Sequence, residues 1–246
     1  MSIYNLIYSP TGGTEKVMQI LGREFGADTV IDLCRPVDAV RFSPEDLVLI
    51  GLPSYGGRIP AGSGEKLHQF QGGGAKAVLV AVYGNRAIDD TLIEMKDVAE
   101  DCGFRVVGAI SAVAEHSIMR HVAKGRPDAD DAAELADFAR QIMARMNEDC
   151  QVTVPGKRPY KNFGGAGMFP VVENCTGCGI CAANCPVGAI SSDTPEMTDT
   201  TKCICCMRCI DRCPTGARQR NAIALNNTIQ RLAALVSGRK PNELFL

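Results

Sequence analysis

Along the first 150 residues, short apolar runs alternate with segments whose apolar positions recur every three to four residues. The runs are Ile3 to Tyr8, Thr29 to Leu33, Leu47 to Leu52, Lys76 to Tyr83 and Val106 to Val113, each of strand length. Between and after them, three apolar stripes have helical spacing: Val17, Ile20, Leu21 and Phe25; Ile88, Leu92, Met95, Ala99 and Cys102; and Leu135, Phe138, Ile142 and Met146. Strands and amphipathic helices in alternation predict a parallel sheet with helices on both faces.

Periodicity then stops. Residues 151 to 170 carry Pro155, Gly156, Pro159 and a Gly164-Gly165-Ala166-Gly167 stretch, the composition of a linker. A cysteine-rich unit follows over 171 to 217. In the tail, 218 to 246, Leu225, Ile229, Leu232 and Val236 predict a helix that Gly238 and Pro241 would stop. The expected organisation is a sheet domain over 1 to 150, a linker, a small cysteine-rich domain, and a C-terminal helix and tail docked on one of the domains.

Composition narrows the class. A hydrophobic content of 46% supports an ordinary soluble core. No basic segment precedes the Ile3 to Tyr8 run, and no apolar stretch reaches the roughly 18 residues of a membrane span, so a cytoplasmic protein without membrane insertion is expected. Residues 1 to 150 hold 15 Lys+Arg against 22 Asp+Glu, and residues 151 to 246 hold 11 against 6, that is −7 against +5. Two oxidised 4Fe-4S cores with four thiolates each, at a net charge of about −2 apiece, would nearly cancel the positive half, which removes the argument for nucleic-acid binding.

Eight of the 12 cysteines form a repeat: Cys175, Cys178, Cys181, Cys185 and Pro186 recur 28 residues later as Cys203, Cys206, Cys209, Cys213 and Pro214. Without a secretory signal, such clustering favours metal over disulfides. Each copy is the C-x2-C-x2-C-x3-C-P run of bacterial ferredoxins, in which the fourth cysteine turns to the other cluster. Ligation is therefore expected to cross, with Cys175, Cys178, Cys181 and Cys213 on one 4Fe-4S cluster and Cys203, Cys206, Cys209 and Cys185 on the other. A pair of zinc sites, the alternative for C-x2-C units, leaves the third cysteine, the Cys-Pro and the shared register unexplained. Cys34, Cys102, Cys150 and Cys205 stand outside the pattern; Cys205 reads as a non-ligand thiol beside a cluster, and Cys102 as a core thiol.

The first strand runs into Ser9-Pro10-Thr11-Gly12-Gly13-Thr14, before a helix opening at Glu15. Hydroxyls and glycine-freed amides at the positive end of a helix suit a phosphate, although an ordinary capped turn has similar composition. It is neither a Walker loop nor the G-x-G-x-x-G fingerprint. Two more glycine-bearing loops follow strands on the same sheet edge: Pro53-Ser54-Tyr55-Gly56-Gly57-Arg58 and Tyr83-Gly84-Asn85-Arg86. Tyr55 and Tyr83 are candidate neighbours of a planar ring, or plain loop-packing tyrosines. Arg58 and Arg86 are candidates to offset negative charge there, or exposed loop arginines. His116 is a candidate donor, or a solvent-facing or structural loop histidine.

The first loop resembles the phosphate loop of flavodoxins, and nearly the whole chain resembles the flavodoxin and ferredoxin fusion proteins of anaerobes. The resemblance implies an α/β fold: a flavodoxin-like five-stranded parallel sheet with helices on both faces, a small α+β bacterial ferredoxin-like domain and a C-terminal helix. It implies FMN phosphate on Ser9, Thr11, Gly12, Gly13 and Thr14, with Pro53, Ser54, Tyr55, Gly56, Gly57 and Tyr83, Gly84, Asn85, Arg86 flanking the isoalloxazine. Pro10, Gly13 and the lack of tryptophan depart from many flavodoxins. No paired carboxylates or nucleophile and base couple stand out, so no catalytic residue is assigned. The expected function is an electron relay between two 4Fe-4S clusters and FMN, to or from a redox partner protein; a flavin-dependent reductase of a small substrate and a redox sensor are the alternatives.

Overall fold

The computed structural model describes residues 1–148 and 151–246, so Cys150 lies outside the described residues. Strands β1 (Ile3–Ile7), β2 (Thr29–Asp32), β3 (Leu47–Pro53), β4 (Lys76–Tyr83) and β5 (Arg105–Val113) lie parallel in the order β2-β1-β3-β4-β5. That order is the flavodoxin-like variant of the doubly wound sheet, in which the winding reverses between β1 and β3. Successive strand residues face opposite ways, so Leu47 and Leu49 of β3 and Val78, Val80 and Val82 of β4 enter one apolar core while Val48, Ile50 and Leu52 with Leu79 and Ala81 enter the other. Helices α1 (Gly13–Phe25) and α4 (Ala129–Arg145) cover the first face through Val17, Met18, Leu21, Leu135 and Ile142; α2 (Ser63–Leu67) and α3 (Thr91–Asp101) cover the second through Leu67, Leu92 and Met95.

The sheet has six strands rather than five. The tail returns as β8 (Glu243–Phe245), antiparallel to β5 with Ile110 opposite Leu244. Three residues are too few to show a period, and the pairing is decided by the exposed hydrogen-bonding edge of β5. The linker segment packs along the sheet domain: Val152 and Val154 are buried in its core, and Asp90 accepts from the amides of Lys157 and Lys161 at 2.9 and 2.7 Å. Beyond it, β6 (Val171–Val172) pairs antiparallel with β7 (Arg218–Gln219), bracketing the one-turn helices α5 (Ile180–Ala183) and α6 (Arg208–Asp211). Helix α7 (Ala222–Leu232) ends before Val236, and short α2 carried no sequence signal. No helix among the described residues is long and apolar enough to cross a membrane.

Candidate cofactor site

At the carboxyl ends of β1, β3, β4 and β5, where the winding reverses, the three glycine-bearing loops meet around a cavity of about 400 Å³. Ser9, Thr11, Gly13, Thr14, Pro53, Ser54, Tyr55, Gly56, Tyr83, Gly84 and Arg86 line it, together with Pro10 and His116. Gly12, Gly57 and Asn85 do not line it. Gly12 is the left-handed N-cap of α1, and the amides of Thr11, Gly12, Gly13 and Thr14 find no acceptor among the described residues. Four unpaired N–H groups at the positive end of a 13-residue helix are a ready cradle for a phosphate monoester. The Ser9 hydroxyl is partly committed, accepting from the Glu15 amide at 2.9 Å, but keeps its own proton to donate.

The second loop is a two-residue turn closed by reciprocal backbone bonds between Tyr55 and Arg58, with Gly56 and Gly57 both at positive φ. A side chain on Gly56 would collide with the Phe163 ring, and one on Gly57 with the Asp89 carboxylate. Arg58 points away from the cavity: it grips Glu94 through two bonds of 2.7 Å, donates to the Lys161 carbonyl and stacks 4.7 Å from the Tyr160 ring. It is a strut holding residues 160–161 to α3. Asn85 has a similar structural task. Buried and at φ 62°, it donates to the carbonyls of Val236 and Gly238 at 2.7 and 2.8 Å and accepts from the Lys240 amide, anchoring the tail.

His116 is partly buried rather than solvent-facing. Its Nδ1 accepts from the amides of Ile118 and Met119 at 3.1 and 3.2 Å, which fixes the tautomer with hydrogen on Nε2. Burial, then His121, Arg120 and Arg86, pull its pKa down to about 4, so the ring is a neutral donor. Tyr55 is a second group in a dry setting: burial of its hydroxyl, and next the Cys206 thiol, raise it well above its ordinary range.

Residues outside the sheet complete the cavity. Phe163, Ala166 and Met168 of the segment before β6, Ile204 and Cys205 of the cysteine-rich region, and Thr228, Arg231 and Leu232 of α7 close its far side. Sequence reasoning missed this wall, since nothing in the linker composition signals which residues face inward. The eight patterned cysteines sort into two further cavities. Cys185, Cys203, Cys206 and Cys209 line one, together with Cys205, and Cys175, Cys178, Cys181 and Cys213 line the other. No three metal-binding side chains among the described residues converge as a single ion would require. The four patterned thiols of each set are the ligand type and number that an iron-sulfur cube takes. Cys205 is buried at φ 54°, and it and Arg218 hold the Cys203 thiol below its ordinary range. Cys102 is half-buried and bonds the Leu67 carbonyl.

Residues 170–191 match the family model of the 4Fe-4S binding domain. That stretch holds the first cysteine run. The chain is also similar in shape to a Streptococcus pneumoniae TIGR4 flavodoxin, 19% identical over 58% of this chain and 99% of that one with a TM-score of 0.44. Two-electron reduced Megasphaera elsdenii flavodoxin is 20% identical over 56% and 98%, with a TM-score of 0.36. Fusobacterium nucleatum flavodoxin bound to flavin mononucleotide is 16% identical over 58% and 98%, with a TM-score of 0.40. Among curated proteins, none matches the chain.

Proposed function

We propose that the chain is an electron-transfer protein that binds FMN in the large cavity and two 4Fe-4S clusters on the crossed cysteine sets, relaying electrons between them. The observation that carries this reading is a shared wall: Ile204 and Cys205 line both the large cavity and the cavity of Cys185, Cys203, Cys206 and Cys209. Two adjacent residues thus separate the flavin from the inner cluster. The outer set, with Cys175 and Cys178 exposed, faces solvent and offers the entry point for a redox partner protein.

Flavin supplies one- and two-electron chemistry while the clusters supply single electrons. The chain's own residues bind and orient. Amides of Thr11 to Thr14 hold the phosphate, Tyr55 and Tyr83 flank the ring, and His116 presents Nε2–H as a fixed donor. Phe163 and Met168 line the far side of the site. Anaerobic reconstitution tests the reading: the released flavin should be FMN by mass, with iron and sulfide for two clusters. Cys213→Ser should damage the outer cluster, whereas Cys205→Ser should keep both. FAD in place of FMN, cluster loss in Cys205→Ser, or multiple turnover of a small acceptor without a protein partner contradicts it.

A further inference from the structure

The cysteine-rich region buries two arginines whose charge the protein itself leaves largely unmatched. Arg208, between Cys206 and Cys209, is 4% exposed and lines the inner cysteine cavity. Its Nη1 donates to the carbonyls of Ser9 and Pro10 at 3.1 and 3.3 Å, on the phosphate loop; its nearest carboxylate, on Asp32, is 3.9 Å away and is shared with Arg35 at 3.3 Å. Arg218, 2% exposed, lines the outer cavity, donates to Thr198 Oγ1 and to the carbonyls of Pro195 and Met197, and has no carboxylate within ion-pair distance among the described residues. In each the Nε–H is buried without an acceptor, as is that of Arg220, whose charge is paired with Asp211 at 3.5 Å.

Guanidinium stays charged at every accessible pH, and a buried unpaired cation is costly. Oxidised clusters carry net negative charge, which grows by one on reduction. We propose that Arg208 and Arg218 are the fixed counter-ions of the inner and outer clusters, their free Nε–H groups donating to cluster or cysteine sulfur, and that each raises the reduction potential of the cluster beside it. Arg208 additionally ties the inner cluster's loop to the phosphate loop, fixing the cofactors' separation. The inference rests on the relay reading, and the wild-type protein's iron and FMN content separates failure of that reading from failure of this one.

The test is an anaerobic redox titration, followed by electron paramagnetic resonance, of reconstituted wild type, Arg208→Gln, Arg218→Gln and Arg220→Gln. Arg220 pairs with Asp211 and lines neither cysteine cavity, so it serves as a charge-removal control. Arg208→Gln should lower the potential of the inner cluster, and Arg218→Gln that of the outer, by at least tenfold in the oxidised-to-reduced ratio, about 59 mV for a one-electron couple, with a smaller fall at the inner cluster in Arg218→Gln because that charge also acts on Cys203 and Cys209. Arg220→Gln should move neither. Unshifted potentials in Gln variants of full iron content overturn the proposal, as does an equal shift in the control. Should the Gln variants not hold iron, Arg208→Lys and Arg218→Lys decide. They keep the charge and lose only the Nε–H, so iron should be retained at a potential lowered by less than tenfold in the oxidised-to-reduced ratio; lost iron overturns the counter-ion role, and an unmoved potential overturns the Nε–H donation.

Discussion

In the sheet, β3 and β4 bury every residue from Leu47 to Leu52 and from Ala77 to Tyr83, and two apolar cores pack on opposite faces. In the cysteine-rich region the apolar cluster centres on just Met168, Cys205 and Met207, the strands are two residues long and the helices a single turn. The two halves of the chain are therefore held by different forces. One hides hydrocarbon from water; the other has too little hydrocarbon to do so and needs ligand bonds to its cofactors as its core.

The largest way to break that contrast is to remove the iron. Anaerobic chelation should abolish amide hydrogen-exchange protection across 171 to 217 while β1 to β5 keep theirs; loss of protection in both halves together would contradict separate stabilisation. A cavity in the sheet should do the opposite. Leu79→Ala, at a fully buried position, should lower unfolding free energy by about 2 to 5 kcal/mol in urea titration and leave iron content unchanged.

Between these extremes lies the tail, which crosses from one half to the other. Asn85→Ala removes two donated bonds and one accepted bond, and should cost about 1 to 3 kcal/mol, with faster exchange at residues 236 to 245. Near neutral pH no effect is expected from His116, whose contribution changes only in acid. Its folded pKa of about 4 lies below the ordinary value near 6.5, so the apoprotein keeps the full contribution above pH about 6.5 and loses it as pH falls towards 4, at no more than about 1.4 kcal/mol per pH unit. An NMR titration of His116 with its midpoint near 6.5 would refute the buried neutral ring.

Those contrasts also explain what the sequence made legible. Strands β3, β4 and β5 were readable because burial on both faces leaves unbroken apolar runs, whereas β2 at the edge is half exposed, and the cysteine repeat was readable because ligand geometry demands fixed spacing. Lys76 to Tyr83 coincides with β4 residue for residue. The sixth strand was not readable, since Glu243, Leu244 and Phe245 gain their conformation from β5 rather than from any local preference. Neither was the assignment of Arg58 and Asn85 to structural tasks. Both stand in glycine-bearing loops of the right composition, but their partners, Glu94, Lys161, Val236 and Gly238, are 36 to 153 residues away. The wall built by Phe163, Met168 and Cys205 was hidden for the same reason.

The relay itself is tested most directly by electron movement inside one molecule. The reconstituted protein is given a flash-generated reductant that reaches the exposed outer cluster, and cluster and flavin absorbance are followed together. Flavin reduction that lags cluster reduction, at a rate independent of protein concentration, is the predicted result. A rate proportional to protein concentration, or equally fast flavin reduction in protein stripped of its clusters, would contradict a route through Ile204 and Cys205.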